Sequence, residues 1–304
     1  MLVLDAGNAL FKNAYPGQDP KEKTRAQFLL EQMDALGTTA MAVGARDLAL
    51  GTDFLVRSQA GRKLKLLSAN LADASGKLLF APSTVVTVGG VKFGIVGVSP
   101  EGPVARQQTV LGRPPVKAAL AEARRLREQD KVDVVVVLAA LPTQEATTLS
   151  QQAGKSVELI LQSHDGRTST LAQRDDYALV MSAGERGRQL GRLALSVNGH
   201  TGPFVDLSEA ERNQQSLKVI EANLQQARQS LSLSKDATVR RTWEETLQGL
   251  EARKKELLAR TAPSGKGSER TLLYSYTTLG GDVTGDADLQ AKVERIEPPG
   301  SASH

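Results

Sequence analysis

The sequence predicts an α/β fold: a four-layer α/β/β/α sandwich of sheets flanked by helices, with an inserted α-helical hairpin. Residues 132–138 form a largely β-branched run, which is typical of a strand buried on both faces. Residues 21–36 carry apolar side chains at three- and four-residue steps, which predicts a helix packed on a sheet. Residues 207–258 repeat that helical spacing twice, around a break at 232–236. Alternating strands and amphipathic helices indicate layers around a shared core.

The other elements follow from the same patterns. Gly89 and Gly90 separate two apolar runs and predict a tight hairpin. Pro115 suits the first turn of a second amphipathic helix, at 115–128. The predicted strands are 2–4, 39–43, 65–69, 91–98, 132–138 and 157–161, and a loop and hairpin are predicted within 177–195, where no helical pattern follows Gly187.

The chain divides into four parts by composition. Residues 1–204 form the predicted α/β domain, and residues 205–262 form the antiparallel helical hairpin. Residues 263–297 begin with a flexible linker, and their strand at 271–279 is expected to return to the main sheet. Residues 298–304 are expected to be a disordered tail.

Composition limits the classes of function. The 304 residues are 40% hydrophobic and 24% charged, which is ordinary for a globular protein. The sequence holds no cysteine, so disulfides, zinc–cysteine sites and thiol nucleophiles are excluded within this chain. The 38 basic residues are spread against 34 acidic ones, so binding to nucleic acid is not expected. No run approaches the roughly 18 apolar residues of a membrane span.

The start of the chain carries no secretion signal of the usual kind, with a basic segment and a hydrophobic core. A strand begins directly at Leu2 instead. The sequence is therefore expected to lack an upstream piece of the domain.

Several segments carry residues of a known signature. Residues 40–51 read Ala-Met-Ala-Val-Gly-Ala-Arg-Asp-Leu-Ala-Leu-Gly, and residues 4–8 read Leu-Asp-Ala-Gly-Asn. They resemble the Ala-Met-x-x-Gly-Asn-His-Glu-Phe-Asp-x-Gly and Leu-Asp-Ala-Gly-Asp segments of the calcineurin-like metallophosphoesterases, in their 5'-nucleotidase and UDP-sugar hydrolase branch. Residues 67–70, Leu-Ser-Ala-Asn, and the strand at 91–98 resemble further family segments in the same order. The resemblance covers about residues 2–195 and implies the four-layer metallophosphoesterase-like fold.

This resemblance implies a two-metal site for phosphate-ester hydrolysis, yet the chain departs from several ligand positions. Ala45 and Arg46 stand where the signature has Asn-His. Ala140 and Gly166 each take the place of a metal-binding histidine. Asn8 replaces an aspartate that bridges the two metals, and an uncharged amide oxygen bridges two cations far less well. The resemblance therefore implies a degenerate metal site.

Few candidate site residues remain, and none is predicted to be catalytic. Of the three histidines in the sequence, only His164 lies where a ligand belongs. Asn8 and Asp165 are the other candidate metal ligands. Arg46, whose side chain is a permanent cation, is the candidate anion-binding residue.

Three interpretations stay open. The leading one is a pseudoenzyme without a cofactor, acting as a binding or scaffold module for a protein partner at 205–262 or for a small anion or phosphate ester. The second is a weakly active phosphoesterase or nucleotidase that uses a divalent metal such as Mn, Zn or Mg. The third is a domain that supports an attached redox or surface module. The resemblance also implies a periplasmic or extracytoplasmic location.

Overall fold

The computed structural model describes residues 1–15, 17, 19–104, 107–163, 172–174, 176–184, 187–197, 202–260 and 270–298, without the side chains of 108, 209, 259 and 260. The strands are β1 (Val3–Asp5), β2 (Thr38–Ala42), β3 (Lys65–Leu67), β4 (Leu71–Asp73), β5 (Ser83–Val88), β6 (Val91–Val98), β7 (Gly102–Val104), β8 (Gln107–Gly112), β9 (Val134–Ala139), β10 (Leu159–Gln162), β11 (Gln173–Arg174), β12 (Leu179–Met181), β13 (Gln189–Ser196), β14 (Val205–Asp206) and β15 (Thr271–Thr278). The helices are α1 (Glu22–Ala35), α2 (Thr52–Gln59), α3 (Pro115–Arg125), α4 (Thr143–Ala153), α5 (Ser208–Leu233), α6 (Ala237–Arg260) and α7 (Ala287–Ile296). The predicted linker and the end of the predicted tail lie outside these residues.

A parallel sheet of order β1-β2-β3 lies under α1 and α2. Met41 and Leu66 of the sheet share one buried core with Leu30 of α1 and Leu55 of α2. Gly37 has a φ of +79°, directly after the end of α1, a conformation that glycine adopts without steric cost. The predicted strand–helix alternation is confirmed in this layer.

A six-stranded sheet has the order β11-β12-β10-β9-β6-β5. The predicted hairpin between β5 and β6 is confirmed, with φ of +59° at Gly89 and +80° at Gly90. Every residue of β9 is buried, as the β-branched run predicts for an interior strand. Val135 and Val137 pack on one face with residues of α3 and α4, including Leu120 and Leu149.

The two sheets face each other, since β2 and β3 both contact β6. Side chains alternate along a strand, so Val136 and Leu138 point away from α3 and α4 and are also buried. The sheets approach each other closely at Gly97, where an added Cβ would lie 2.4 Å from the carbonyl oxygen of Leu67. The predicted α/β/β/α order is therefore confirmed.

Two expectations about strand pairing need correction. β12 is buried throughout and pairs in parallel with β10 of the six-stranded sheet. β13 exposes several of its residues and belongs to a separate sheet of order β13-β15-β14. The segment 177–195 is thus no hairpin. The strand within 271–279 joins the smaller sheet instead of returning to the main one.

The chain forms two compact units. One contains Met1–Arg192 and Tyr276–His304, and the other contains Leu193–Ser275. In the second unit, α5 and α6 run antiparallel and are joined by two ion pairs, Glu221–Lys254 at 2.8 Å and Arg228–Glu251 at 3.0 Å. Across the described residues, no helix is both long and apolar enough to cross a membrane.

Candidate functional site

The tips of β1 and β2 bring Asn8, Arg46 and Asp47 together. Gly7, with φ of +90°, and Asn8, with φ of +63°, turn the chain sharply after β1. These left-handed angles are ones that glycine and asparagine tolerate best. An added Cβ at Gly7 would lie 2.5 Å from the carbonyl oxygen of Ala42, so this close approach requires glycine.

Asp47 is the buried centre of this cluster, with 0% of its surface exposed. Its Oδ2 accepts the backbone N–H groups of Asn8 at 2.7 Å and Gly44 at 2.8 Å. Its Oδ1 accepts the backbone N–H of Leu10 at 3.0 Å. One carboxyl group therefore joins the loop after β1 to the loop after β2.

Burial controls the protonation of the two acidic groups here. It raises the pKa of Asp47 from 3.8 to about 6, an effect that the backbone N–H donors oppose and the nearby Asp5 carboxylate increases. Burial also raises the pKa of Asp5, against the effect of the N–H of Gly7, which donates to Asp5 Oδ1 at 2.7 Å. Both carboxyl groups thus receive backbone donors.

The Asn8 amide is engaged at both ends. Its Oδ1 accepts the backbone N–H of Arg46 at 3.1 Å, and its Nδ2 donates to Ser163 Oγ at 3.3 Å. Ser163 Oγ in turn donates to the carbonyl oxygen of Ala6 at 2.6 Å. Gly44 permits this packing, because an added Cβ there would lie 2.4 Å from Asn8 Oδ1. The side-chain oxygen of Asn8, which stands at a metal-bridging position of the resembled signature, thus accepts a hydrogen bond from the protein backbone.

A second hydrogen-bonded cluster lies directly after β6. Ser99 Oγ donates to the carbonyl oxygen of Val43 at 2.5 Å and lies 2.8 Å from Ser68 Oγ. The Asn70 Oδ1 accepts the Ser99 N–H at 2.8 Å, and Asn70 Nδ2 donates to the Ser99 carbonyl oxygen at 2.7 Å. Ser68, Asn70 and Ser99 are all fully buried. They hold the base of the loop that carries Arg46.

The predicted site residues are only partly brought together. Asn8 and Arg46 meet as expected. Ala140, in place of a histidine, is fully buried next to Gly7, where an added Cβ would lie 3.2 Å from the Ala140 Cβ. His164 and Asp165 lie outside the described residues, so their contacts stay predictions.

The described atoms do not fit a dinuclear metal centre. No group of three or more His, Cys, Asp or Glu that could hold a metal is present among the residues the structure describes. The Asn8 oxygen already accepts one backbone N–H, and the Asp47 carboxyl group accepts three. About one acceptor position is therefore left on each side chain, which is too few to bridge two metal ions.

Sequence reasoning missed the serines that take part in the site. Ser99 directly follows β6 and Ser163 directly follows β10. A polar residue immediately after a buried strand is the sequence signal that could have identified both. Asp47 sits in the recognised signature, but its three backbone donors depend on the path of the neighbouring loop.

A cavity of about 870 Å³ lies elsewhere in the first unit, between α1 and α2. Asn8 and Arg46 are not among its lining residues. The charged side chains around it are of both signs: Lys23, Glu31, Asp53, Arg57 and Arg62.

Comparison with known sequences finds a partial relative. No protein-family model matches the chain. An apyrase of Tabanus yao is 28% identical over 142 residues, which are 43% of this chain and 25% of the apyrase. The chain therefore spans only a quarter of that relative.

Comparison with solved structures gives the fold. A 5'-nucleotidase precursor from Thermus thermophilus is 28% identical, with a TM-score of 0.51 over 64% of this chain and 42% of that one. The sulfate thiohydrolase SoxB of Thermus thermophilus is 19% identical, with a TM-score of 0.57 over 66% of this chain and 36% of SoxB. The calcineurin-like phosphoesterase YfkN from Bacillus subtilis is 17% identical, with a TM-score of 0.53 over 63% of this chain and 70% of that one. The predicted resemblance is confirmed: this chain has the fold of the 5'-nucleotidases and calcineurin-like phosphoesterases.

Proposed function

We propose that this chain is a 5'-nucleotidase-like, metallophosphoesterase-fold module that has lost its dinuclear metal site and phosphate-ester hydrolysis, and that acts by binding or as a scaffold. The observation that carries the proposal is the engagement of Asn8 and Asp47. Both side chains lie at the strand tips, and the described hydrogen bonds occupy the Asn8 oxygen and both Asp47 oxygens. With about one acceptor position left on each side chain, neither can bridge two metal ions.

The requirements of phosphoryl transfer support the proposal. In two-metal enzymes the metals generate the nucleophile and stabilise the charge that develops on the phosphoryl oxygens. Arg46 stands where the resembled signature has a histidine, and an arginine does not donate a proton at neutral pH. A fixed cation also repels metal ions, so we assign Arg46 to binding a small anion or phosphate ester.

The scaffold part of the proposal concerns α5 and α6. Their apolar residues Ile220, Leu224 and Ala227 are buried, while most of α6 is exposed. We assign the contact with a protein partner to this helix pair. Pull-down with residues 205–262 deleted tests that assignment, because a partner that binds α5 and α6 is lost on deletion.

A second candidate is a weakly active hydrolase. The 28% identity to the 5'-nucleotidase precursor supports it, as does the presence in the sequence of His164 and Asp165, two potential metal ligands. In this reading, Asn8, His164 and Asp165 would hold one divalent ion, and the chemistry supplied there would be Lewis-acid activation of water and of the ester.

Metal content and hydrolysis of AMP and of a bis-aryl phosphate separate the two candidates. We expect no stoichiometric transition metal in the purified protein and no manganese-dependent turnover. The variant His164→Ala should behave like the wild type, and His200→Ala is the matched control. About two bound metal ions per chain, or turnover that disappears only in His164→Ala, would contradict the proposal.

A further inference from the structure

Two serines bridge the tips of the facing sheets. Ser99 is the first residue after β6 and Ser163 the first after β10, both in the six-stranded sheet. Ser99 Oγ donates to the carbonyl oxygen of Val43, the first residue after β2, at 2.5 Å. Ser163 Oγ donates to the carbonyl oxygen of Ala6, the first residue after β1, at 2.6 Å. We call these two hydrogen bonds the serine bridges.

The serine bridges are equivalent in position. Each runs from the residue after a strand of one sheet to the residue after a strand of the other. β9 lies between β6 and β10, and the residue after it is Ala140, which is fully buried and has no side-chain donor. At this end of the strands, two serine hydroxyl groups thus link the sheets, and the buried methyl group of Ala140 lies between them.

Asn8 connects the Ser163 bridge to the loop that follows β2. Its Nδ2 donates to Ser163 Oγ, the same atom that donates to Ala6. Its Oδ1 accepts from the N–H of Arg46, and its own N–H donates to Asp47. An aspartate at this position would lose the donor to Ser163 and add a negative charge beside a buried carboxyl group.

From this geometry we infer that the serine bridges, with the Asn8 amide, replace metal ions as the cross-link between the two sheets, so that the strand tips are ordered without metal. The inference rests on the proposed function and deepens it. The Asn70 side chain adds two bonds to the Ser99 backbone at the same edge. Because the side chains of Ser99, Ser163 and Asn8 already link the strand tips, no metal ion is required to order them.

Thermal unfolding of the full chain tests the inference, in EDTA and in excess Mn²⁺. Ser99→Ala and Ser163→Ala should each lower Tm by about 4–8 °C, because each removes two hydrogen bonds and one accounts for about 2–4 °C in a chain of this size. The matched control is Ser150→Ala on α4, whose buried Oγ has no partner among the described atoms. Its removal should leave Tm unchanged or raise it slightly. Wild-type Tm should be the same in both buffers.

The possible failures are distinguishable. If Ser99→Ala and Ser163→Ala match Ser150→Ala, the bridges do not hold the sheets, and the inference is wrong while the proposed function stands. A higher wild-type Tm in Mn²⁺ overturns metal independence, and turnover in the same buffer then overturns the proposed function.

If a serine variant fails to fold, amide hydrogen exchange of the wild type in EDTA tests the inference instead. Slow exchange at Asn8 and Gly44 is expected, and rapid exchange there contradicts the inference.

Discussion

Asp47 shows how one buried carboxyl group can order two loops. It accepts backbone N–H groups from both sides of the strand tips, and a side chain with fewer acceptor positions cannot do the same. Its cost is desolvation, which is why burial is the first cause of its raised pKa. The balance between these two effects makes the stability of the first unit depend on pH.

The pH dependence has a definite sign. The pKa of Asp47 is about 6 when folded and 3.8 when unperturbed, so the folded protein holds this proton more tightly than the unfolded chain. The tighter proton binding by Asp47 therefore adds to the free energy of unfolding below pH 4, and this addition is lost as pH rises through 6. Relative to Asp47→Asn, which does not titrate, the wild type should lose on the order of 3 kcal/mol of unfolding free energy between pH 4 and 7. Urea unfolding across this range measures the difference.

Asp73 provides a control of opposite sign. Hydrogen bonds, first from the Ser75 side chain, lower the pKa of Asp73. Its contribution is therefore present above pH 4 and is lost as pH falls further. The stability difference between wild type and Asp73→Asn should shrink on acidification. A pH-independent difference for Asp47→Asn would contradict the assignment.

The residues of the site were only partly predictable from sequence. The signature places Asn8 and Arg46 at neighbouring strand tips, and the structure brings them together. The partners of Asn8 could not be predicted, because Ser163 lies 155 residues further along the chain. Hydrogen bonds between such distant positions depend on the stacking of the two sheets, which local patterns do not encode.

At the scale of elements, Gly97 of β6 sets how closely the sheets approach. The backbone of Leu67 occupies the space that a side chain would take, and a carbonyl group in a sheet cannot move aside as a flexible side chain can. The two sheets can pack this closely because Gly97 has no side chain.

Gly97→Ala should therefore destabilise the protein by about 3 kcal/mol, in the upper range for overpacking. The matched control is Gly249→Ala in α6, where an added Cβ would meet nothing within 4 Å. That change should stabilise the helix by about 0.5–1 kcal/mol, because alanine loses less backbone freedom than glycine. Denaturant unfolding measures both. Equal effects of the two substitutions would mean that the sheets are free to separate at Gly97.

The helices and strands were predicted more reliably than the pairing between strands. Buried runs such as β9 and amphipathic segments such as α1 are visible in local sequence, and both formed. Pairing of β13 with β15 was not foreseen, because many residues separate the two strands along the chain. Local periodicity defines a strand but not the sheet that accepts it.

At the scale of the whole molecule, residues 193–275 form a unit of their own. The chain leaves the first unit within β13 and re-enters it within β15, which are neighbours in one sheet. Within the first unit, Leu279 N–H donates to the carbonyl oxygen of Arg188 at 2.7 Å. The two connecting segments are therefore adjacent where they meet that unit.

Replacing residues 193–275 by a short glycine-rich turn should leave the first unit folded, since the turn needs only to span neighbouring strands. Far-ultraviolet circular dichroism should show one cooperative thermal transition for the shortened chain. The control is fluorescence, because Trp243 is the one tryptophan in the sequence and is removed with the segment. A shortened chain that melts without a cooperative transition would show that the first unit depends on the second.

The bond between Leu279 and Arg188 also has an evolutionary consequence. Where a chain departs and returns through adjacent strands, one recombination event in the gene can add, remove or exchange everything in between without disturbing the host. The helix pair α5–α6 can then vary among descendants at a rate of its own, while the first unit is inherited unchanged.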